Sequence, residues 1–313
     1  MTITTAEALV DFDSPFFSEV ADVILLDRTT KKNIIWATDQ YGEYGEEYSD
    51  RYQIRPEHLC GNEIVRPRIL KSLEEQQART RSKAEVFTPA WLCNQMNNYL
   101  DDDWFGHSGV FNISGTDTNE WIPTEGKIEF HSTNGWKKYV DSRRLEITCG
   151  EAPYLVSRYD ASTGEMILPL LRRIGLFDRK MRVVNENAED KTEWLKWAFR
   201  ALQSCYGYEY QGDSLIIARM NVLFSFIDYY RSFVQSEPDP ETLREAAKII
   251  SWNLWQMDGL KGVTPLGVPY EEYHQMTIFE LFGETEENKA LPCKIFDWRS
   301  KESVLYNEIR KDK

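Results

Sequence analysis

Apolar and polar residues alternate along this chain in a way that predicts strands separated by amphipathic helices. Short apolar runs have the length of buried strands, and longer stretches repeat their apolar residues with helical spacing. The predicted strands and helices of this part are, in order, Leu145–Thr148, Thr192–Gln203, Tyr206–Tyr210, Ser214–Phe233, Glu241–Ile250 and Trp252–Met257. Strands that alternate with helices favour βαβ units around a parallel sheet. The predicted fold class is therefore α/β.

The first 75 residues show a less regular pattern and are predicted to form an N-terminal α+β extension. Asp22–Asp27 and Asn33–Thr38 have the composition of two strands, joined by a polar turn of sequence RTTKK.

A second domain is predicted to cover residues 76–313. Within it, residues 101–140 are rich in Gly, Asn, Ser and Thr and indicate an inserted hairpin or loop, with a strand-like piece at Lys127–His131.

Three further helical segments are predicted near the start of the second domain. A charged helix runs from Leu73 toward Ala84, and a helix start is expected at Pro153–Tyr159. Between them Thr88 is predicted to cap a helix whose first residue is Pro89, since proline suits that position. The apolar residues predicted to share one face of that helix are Trp91, Leu92, Met96 and Leu100.

Composition narrows the class of protein. Hydrophobic residues make up 42% of the 313, which is typical of a globular chain. No apolar run reaches the roughly 18 residues needed to span a bilayer, and the N-terminus does not have the pattern of a secretory signal. We therefore expect a cytoplasmic protein without a membrane segment. The five cysteines form no C-x-x-C pair and no phosphate-binding loop is present, so neither a zinc site nor nucleotide hydrolysis is expected.

The formal net charge of -14 bears on nucleic-acid binding. An acidic surface repels the phosphate backbone, so contact with DNA would need a basic partner or a local basic patch. The best local candidate is the segment Arg79–Lys83, of sequence RTRSK. A solvated basic segment is the alternative interpretation of those residues.

Acidic residues lie at or near the ends of the three predicted strands. They are Glu146, Glu209 and Asp258, and Gly150 provides a turn after the first strand. In open α/β sheets ligands bind beyond the carboxyl ends of the strands. Carboxylates there can accept hydrogen bonds from ribose hydroxyls, an adenine amino group or an ammonium, and helix N-terminal amides can meet a ligand carboxylate. The pattern predicts a site for an adenosine-bearing ligand.

At these residues the chain resembles the N6-adenine DNA methyltransferases of restriction-modification systems. Phe87-Thr88-Pro89 resembles their opening motif, and Leu145–Leu155, of sequence LEITCGEAPYL, is similar to the loop that wraps the methionine part of the cofactor. Tyr206–Glu209 resembles the ribose-binding motif and Trp255–Gly259 the adenine-binding motif. The chain as a whole is similar to proteins labelled restriction endonuclease subunit M, over roughly residues 75–300.

The resemblance implies a Rossmann-like class I methyltransferase sheet that binds S-adenosylmethionine. Glu146 and the Cys149–Gly150 turn would face the methionine, Glu209 the ribose and Asp258 the adenine. Phe87, Thr88 and Pro89 would close over the methionine. No metal is implied.

The sequence departs from the family in two places. In the cofactor loop Ile147 stands for the usual Pro and Ala152 for the last Gly, so a Cβ narrows the site and restricts φ. The Asn/Asp-Pro-Pro-aromatic motif that holds the flipped base is also missing. Trp298–Lys301 stands where it is expected, after a strand at Lys294–Asp297, and Pro269-Tyr270 is only a partial echo.

We therefore predict no catalytic residue in this chain. The sheet is expected to be incomplete in its C-terminal half, so either the N-terminal strands at 22–38 or a second chain would help to close the fold. A second chain would also supply the missing motif and contact DNA. One alternative is a catalytically inactive binding or regulatory protein derived from such an enzyme. Another is a metal-dependent nuclease, suggested by Glu189-Asp190-Lys191.

Overall fold

The computed structural model describes residues 9–83, 88–115, 118–132, 135–267 and 289–311 of the chain. The α-helices of these residues are α1 (Pro15–Ile24), α2 (Leu73–Lys83), α3 (Ala90–Phe105), α4 (Gly135–Val140), α5 (Leu176–Asn187), α6 (Lys191–Gln203), α7 (Gly212–Val234), α8 (Pro240–Asn253) and α9 (Tyr306–Lys311). The strands are β1 (Asn112–Ser114), β2 (Trp121–Pro123), β3 (Arg144–Glu146), β4 (Cys205–Glu209), β5 (Leu254–Gln256), β6 (Lys294–Asp297) and β7 (Glu302–Leu305). Among the described helices, none has the length and apolar character required to cross a membrane.

A three-stranded parallel sheet lies at the centre, in the order β3, β4, β5. Helix α7 follows β4, and α8 leads into β5, so the predicted succession of strand and helix is confirmed from α6 to β5. The expectation of an α/β fold with parallel strands is also confirmed.

The two faces of this sheet are covered differently. On one face Cys205 and Leu254 join the large core that the helices build. On the other face Tyr208 and Trp255 pack with Cys293 and Ile295 in a smaller cluster. Helices therefore cover one side of the sheet, and the antiparallel pair β6–β7 covers the other.

Strand β6 runs against the direction of the parallel strands. At its start, the backbone N–H of Cys293 donates to the carbonyl of Gly262, which lies beyond the carboxyl end of β5. After its end, the indole of Trp298 donates to Asn253, the residue before β5, at 2.7 Å. The predicted strand exists, but it pairs with β7 and leads away from the carboxyl ends.

The N-terminal extension packs into the same core as the rest of the chain. Phe17 and Ile24 of α1 belong to the large hydrophobic cluster that also contains α7 and α8. The buried guanidinium of Arg219, in α7, donates to the carbonyls of Ile24 and Leu26 at 2.6 and 3.2 Å. These bonds fix the end of α1 against the helical layer.

Two strands predicted in the extension differ from the structure. Residues 22–24 of the expected strand Asp22–Asp27 belong to α1, which starts after Ser14, whose hydroxyl accepts the N–H of Phe17. Pro15 at the first helical position reinforces this start. The segment Asn33–Thr38 is extended but forms only isolated bridges, Leu26 with Asn33 and Ile35 with Gln53.

Two predictions between α2 and α6 were also wrong. Pro153–Tyr159 forms turns, and the helix that follows β3 is α5, more than twenty residues later. Lys127–His131 forms no strand; the hairpin of the inserted region is β1–β2 instead.

Helix α3 buries a polar face where an apolar one was predicted. Its buried residues include Asn94, Asn97 and Asp101, whereas Met96 and Leu100 are exposed. The reason lies in α5: Arg179 is buried and donates to Asp101 at 2.6 Å and to Asn94 at 2.9 Å. A buried cation needs such partners, so the polar side of α3 faces inward.

Candidate functional site

The loop after β3 has an unusual backbone. Thr148, Gly150 and Ala152 all have left-handed φ values, of 46°, 53° and 65°. Only glycine adopts this region freely; for other residues it costs roughly 1–2 kcal/mol. Ala152 therefore has a backbone conformation typical of glycine although the residue carries a Cβ.

Cys149 faces the core rather than the end of the sheet. It is buried, and burial raises the pKa of its thiol well above the usual range. Gly207 of β4 makes room for it, because a Cβ on Gly207 would lie 3.2 Å from the Cys149 sulfur. Only the backbone of this predicted site residue can therefore face a ligand.

Glu146 ends β3 and is almost fully buried. Its two carboxyl oxygens accept the N–H groups of Tyr154 and Leu155 at 3.2 and 3.1 Å. Burial raises the pKa of Glu146 to about 8, against the stabilising effect of these two bonds on the charged form. The side chain thus holds the loop closed, and at neutral pH it is largely protonated.

Glu209 ends β4 and joins it to the loop after β3. One carboxyl oxygen accepts the N–H of Gly150 at 2.8 Å, and the other accepts those of Tyr210 and Gln211 at 2.8 and 3.2 Å. Burial raises the pKa of this carboxyl above its ordinary value. The turn at Gly150 and the acid at the end of β4, predicted separately, are therefore in direct contact.

Asp258 follows β5 at the same edge. One of its oxygens accepts the N–H groups of Leu260 and Lys261 at 3.1 and 3.2 Å, and the other lies 3.6 Å from the Lys261 ammonium. The strand ends are joined by a bond from the N–H of Met257 to the carbonyl of Glu209. Burial and, to a smaller extent, the charge of Asp258 raise the pKa of the Tyr210 phenol.

The start of α3 is brought to the same region through Tyr154. The hydroxyl of Tyr154 lies 3.3 Å from the sulfur of Met96 and interacts with the Thr88 side chain. Pro89 is the residue before α3 begins, and the first N–H, of Ala90, donates to Asp160 rather than to Thr88. Thr88 is therefore not the predicted cap. Phe87 lies outside the described residues.

The N-terminal extension closes part of this edge, through residues of the segment 22–38 that was one of the two candidates for completing the fold. The backbone of Ile35 exchanges two hydrogen bonds with the side-chain amide of Gln256, at 2.8 and 2.9 Å. The carbonyl of Trp36 accepts the N–H of Gly212, the first residue of α7. This N-terminal amide of α7 is therefore already bonded within the protein.

A buried ion cluster supports the same contact. Asp213 of α7 accepts bonds from Arg79 at 2.7 Å, Lys71 at 3.1 Å and Tyr41 at 2.6 Å. Burial opposes its charge, but the two cations hold the pKa of Asp213 well below its usual range. Arg79 is 1% exposed, so this residue contributes neither to a DNA-binding patch nor to a solvated basic segment, whereas Arg81 is exposed.

The segment expected in place of the catalytic motif lies at the opposite end of the sheet. Trp298 packs beside Asn253, before β5, whereas Glu209 and Asp258 lie after β4 and β5. Pro269 and Tyr270 lie outside the described residues. The described part of the chain thus brings no side chain of the missing motif to the carboxyl edge.

The residues suggested for a nuclease have structural roles in α6. Asp190 caps this helix by accepting the N–H of Glu193 at 2.8 Å, and Lys191 lies over the ring of Tyr230. Within the described ranges, no three His, Cys, Asp or Glu side chains are grouped so that they could hold a metal ion.

Comparison with family models, with curated proteins and with solved structures finds no match to this chain.

Proposed function

We propose that this chain binds S-adenosylmethionine across the carboxyl ends of β3, β4 and β5. It would act as the cofactor-holding subunit of an adenine-specific DNA methyltransferase, in a restriction-modification or defence setting. The observation that carries the proposal is the contact between Glu209 and the N–H of Gly150, with Asp258 on the neighbouring strand end. This convergence supports a Rossmann-like class I methyltransferase sheet as the ancestry of the fold.

The residues present fit the adenosine part of the cofactor, with one acceptor position of Glu209 left for it. A carboxylate has about four acceptor positions. Glu209 uses three of them for backbone amides, which leaves one for a ribose hydroxyl. The second oxygen of Asp258 lies 3.6 Å from the exposed ammonium of Lys261 and accepts neither of the turn N–H groups, so it can accept the adenine amino group.

At the methionine end the fit depends on protonation. Glu146 is largely neutral at pH 7 because burial raises its pKa to about 8. An ammonium placed beside it would favour the charged form and lower that pKa. The cofactor, when bound, supplies a methyl group on a sulfonium that a nucleophile can attack. This chain's residues bind and orient it.

Methyl transfer would require residues from another chain, and β3 offers a place for one. Among the described strands only β4 pairs with β3, so β3 is an edge strand of the sheet that the structure describes. Leu145 and Ile147 on and beside this strand are 47% and 63% exposed. An exposed apolar edge strand favours pairing with a further strand. A partner docked there would lie beside the loop that contains Gly150.

A non-catalytic descendant that only binds the cofactor is the second candidate. Two observations favour it. Glu209 already accepts the N–H of Gly150, which leaves fewer acceptor positions for a ligand, and the Cβ of Ala152 narrows the site. The two candidates make the same prediction for binding and differ in methylation. A DNA methylation assay with the products of neighbouring genes distinguishes them.

Isothermal titration of S-adenosylmethionine and S-adenosylhomocysteine into the purified chain tests the common claim. Asp258→Asn is the main variant, because an amide oxygen can still accept the turn N–H groups of Leu260 and Lys261. Loss of a hydrogen bond to a charged group weakens binding by about tenfold or more. Glu209→Gln should do the same, with circular dichroism to verify its fold.

Glu237→Gln is the matched control, since Glu237 is 60% exposed and pairs with Arg231 on the helical side. It should bind like the wild type. Absence of binding by the wild type contradicts the proposal, and so does wild-type affinity in both Asp258→Asn and Glu209→Gln.

A further inference from the structure

A cluster of basic side chains lies near the amino ends of the parallel strands, away from the ligand edge. It is formed by α4, the residues before β3, α6 and the turn between β6 and β7. We call it the basic surface; its members are Lys137, Lys138, Arg143, Lys196, Arg200 and Arg299.

Shared carboxylates show that these side chains form one surface. Asp141 pairs with Arg200 of α6 and with Arg299 of the β6–β7 turn, the latter at 3.0 Å. Arg143 pairs with Asp297 of the same turn at 3.2 Å. Elements that are distant in sequence therefore meet here through arginines.

Lys137 and Lys196 join the same surface through Trp197, and Lys138 is the exposed residue next to Lys137 in α4. The ammonium of Lys137 lies 5.5 Å from the Trp197 ring centre and 5.1 Å from that of Trp136, and that of Lys196 lies 5.9 Å from Trp197. Lys137 also pairs with Glu193 at 3.2 Å. Cation–aromatic contacts of this kind hold the ammonium groups close to the tryptophan rings.

Positive charge is in excess over this surface although the whole chain has a net charge of -14. The ion pairs described above join four of the six basic groups to three carboxylates, Asp141, Asp297 and Glu193. Lys138 and Lys196 are exposed, and no carboxylate of the described ranges lies within ion-pair distance of either. An anionic partner with several charges would complement this excess.

The burial of the aromatic rings on this surface indicates which kind of polyanion it can bind. Proteins that bind single-stranded nucleic acid stack bases on exposed rings. Here Trp136 is 7% exposed, Trp197 is half-buried, and their rings pack edge to face at 5.1 Å. The surface therefore offers cations and little stacking area, which suits the phosphate-lined exterior of a duplex.

We propose that the basic surface binds the phosphate backbone of double-stranded DNA without reading its sequence. The contact would lie at the end of the sheet opposite Glu209 and Asp258, so it is separate from the proposed ligand site and does not depend on cofactor binding. It gives this acidic chain a DNA contact of its own, in addition to any that a partner supplies. The remaining surface, which carries the net negative charge, would confine the duplex to this one region.

Fluorescence anisotropy with a labelled duplex of about 20 base pairs, at roughly 50 mM salt and without S-adenosylmethionine, tests the proposal. The variant is Lys138→Glu/Lys196→Glu, since both side chains are exposed and neither supports the core. We expect it to bind at least about tenfold more weakly than the wild type. The slope of log affinity against log salt should fall in magnitude by about 2, as each phosphate contact contributes about 0.9.

Arg231→Glu/Lys248→Glu is the matched control, with the same change in net charge on two exposed residues of α7 and α8. It should bind DNA within about twofold of the wild type. Three results would overturn the proposal: no binding by the wild type, equal losses in both double variants, or wild-type binding to poly-glutamate as tight as to the duplex. The last would identify the surface as a general polyanion site.

Discussion

At the scale of single residues, the loop after β3 stores strain in residues that are not glycine. Thr148 is the clearest case, because it is β-branched, solvent-exposed and has a φ of 46°. Replacing it with glycine removes the conformational energy of roughly 1–2 kcal/mol that a left-handed φ costs other residues. The greater conformational entropy of glycine in the unfolded chain offsets part of this gain in stability.

We therefore expect Thr148→Gly to raise the free energy of unfolding by about 1 kcal/mol, as measured by urea denaturation. Thr148→Ala keeps the Cβ and should change stability by less than about 0.5 kcal/mol. Equal stability of the two variants would show that the backbone at this position is unstrained.

Glu146 gives a second prediction, on the pH dependence of stability. Its folded-state pKa of about 8 lies above its ordinary value of 4.5. Between these pH values the folded state holds a proton that the unfolded state has lost, so stability falls as pH rises, by at most about 1.4 kcal/mol per pH unit. Glu146→Gln cannot titrate, so its stability should fall less between pH 5 and pH 8.

Other groups titrate in both proteins, so the difference between their two stability profiles reports Glu146. The amide will weaken one of the bonds to Tyr154 or Leu155 and lower stability at every pH. Only the slope is therefore diagnostic, and parallel profiles would contradict the prediction.

The pattern of the chain predicted that the three acids lie at or just after strand ends, which is confirmed, but it did not predict their hydrogen-bond partners. Glu146 and Glu209 are the final residues of β3 and β4, and Asp258 follows β5, at one edge of the sheet. Their bonds to backbone amides depend on how the loops fold back, and a residue pattern does not encode that. The contribution of Gln256 and Ile35 was missed for the same reason, since they are 221 positions apart.

At the scale of elements, segments with strong apolar periodicity were predicted well. Helices α6, α7 and α8 and strands β4 and β5 differ from prediction by a few residues at their ends. Helix α5 was missed because Arg179, Lys180 and Arg182 make it look solvent-exposed, yet all three are buried. Burial of charge depends on partners elsewhere, such as Asp101 for Arg179.

Helix α7 is held against the N-terminal extension by a close backbone approach at Gly212. A Cβ at this position would lie 1.9 Å from the carbonyl oxygen of Ile35 and 2.9 Å from the side chain of Ile54. Gly212→Ala should therefore displace the extension and destabilise the fold by about 3 kcal/mol or more, measured by chemical denaturation.

Gly42→Ala is the control for this change, because no atom lies within 4 Å of the Cβ it would add. It should alter the free energy of unfolding by less than about 0.5 kcal/mol. Similar effects of the two substitutions would mean that Ile35 does not lie against the start of α7.

At the scale of the whole molecule, the extension and the rest of the chain depend on one another for burial. Phe17 and Ile24 fill the large core, and Arg219 has two of its acceptors in the extension. A chain of residues 76–313 would lack these two carbonyl acceptors and the apolar side chains of α1. A buried guanidinium that lacks hydrogen-bond acceptors strongly destabilises the fold.

We expect this truncated chain to lack a cooperative thermal transition and the near-ultraviolet circular dichroism of packed aromatic rings. The full chain provides the reference. A truncated chain that unfolds cooperatively would show that the helical layer and the parallel sheet form a core without α1.

In the whole molecule, the candidate ligand site and the basic surface lie at opposite ends of the parallel strands. The acids and the Gly150 turn lie at the carboxyl ends, and the basic surface lies near the amino ends. The sequence indicated the first, because acids follow predicted strands. It did not indicate the second, because the direction of β6 decides where Arg299 lies, and the pattern of a strand does not give its direction.

A crystal structure of the chain with S-adenosylhomocysteine tests the central claim most directly. The account predicts electron density for the ligand across the ends of β4 and β5, with a ribose hydroxyl on Glu209 and the adenine amino group on Asp258. Density at another surface, or crystals at saturating ligand in which Glu209 and Asp258 contact only the backbone groups seen here, would contradict it.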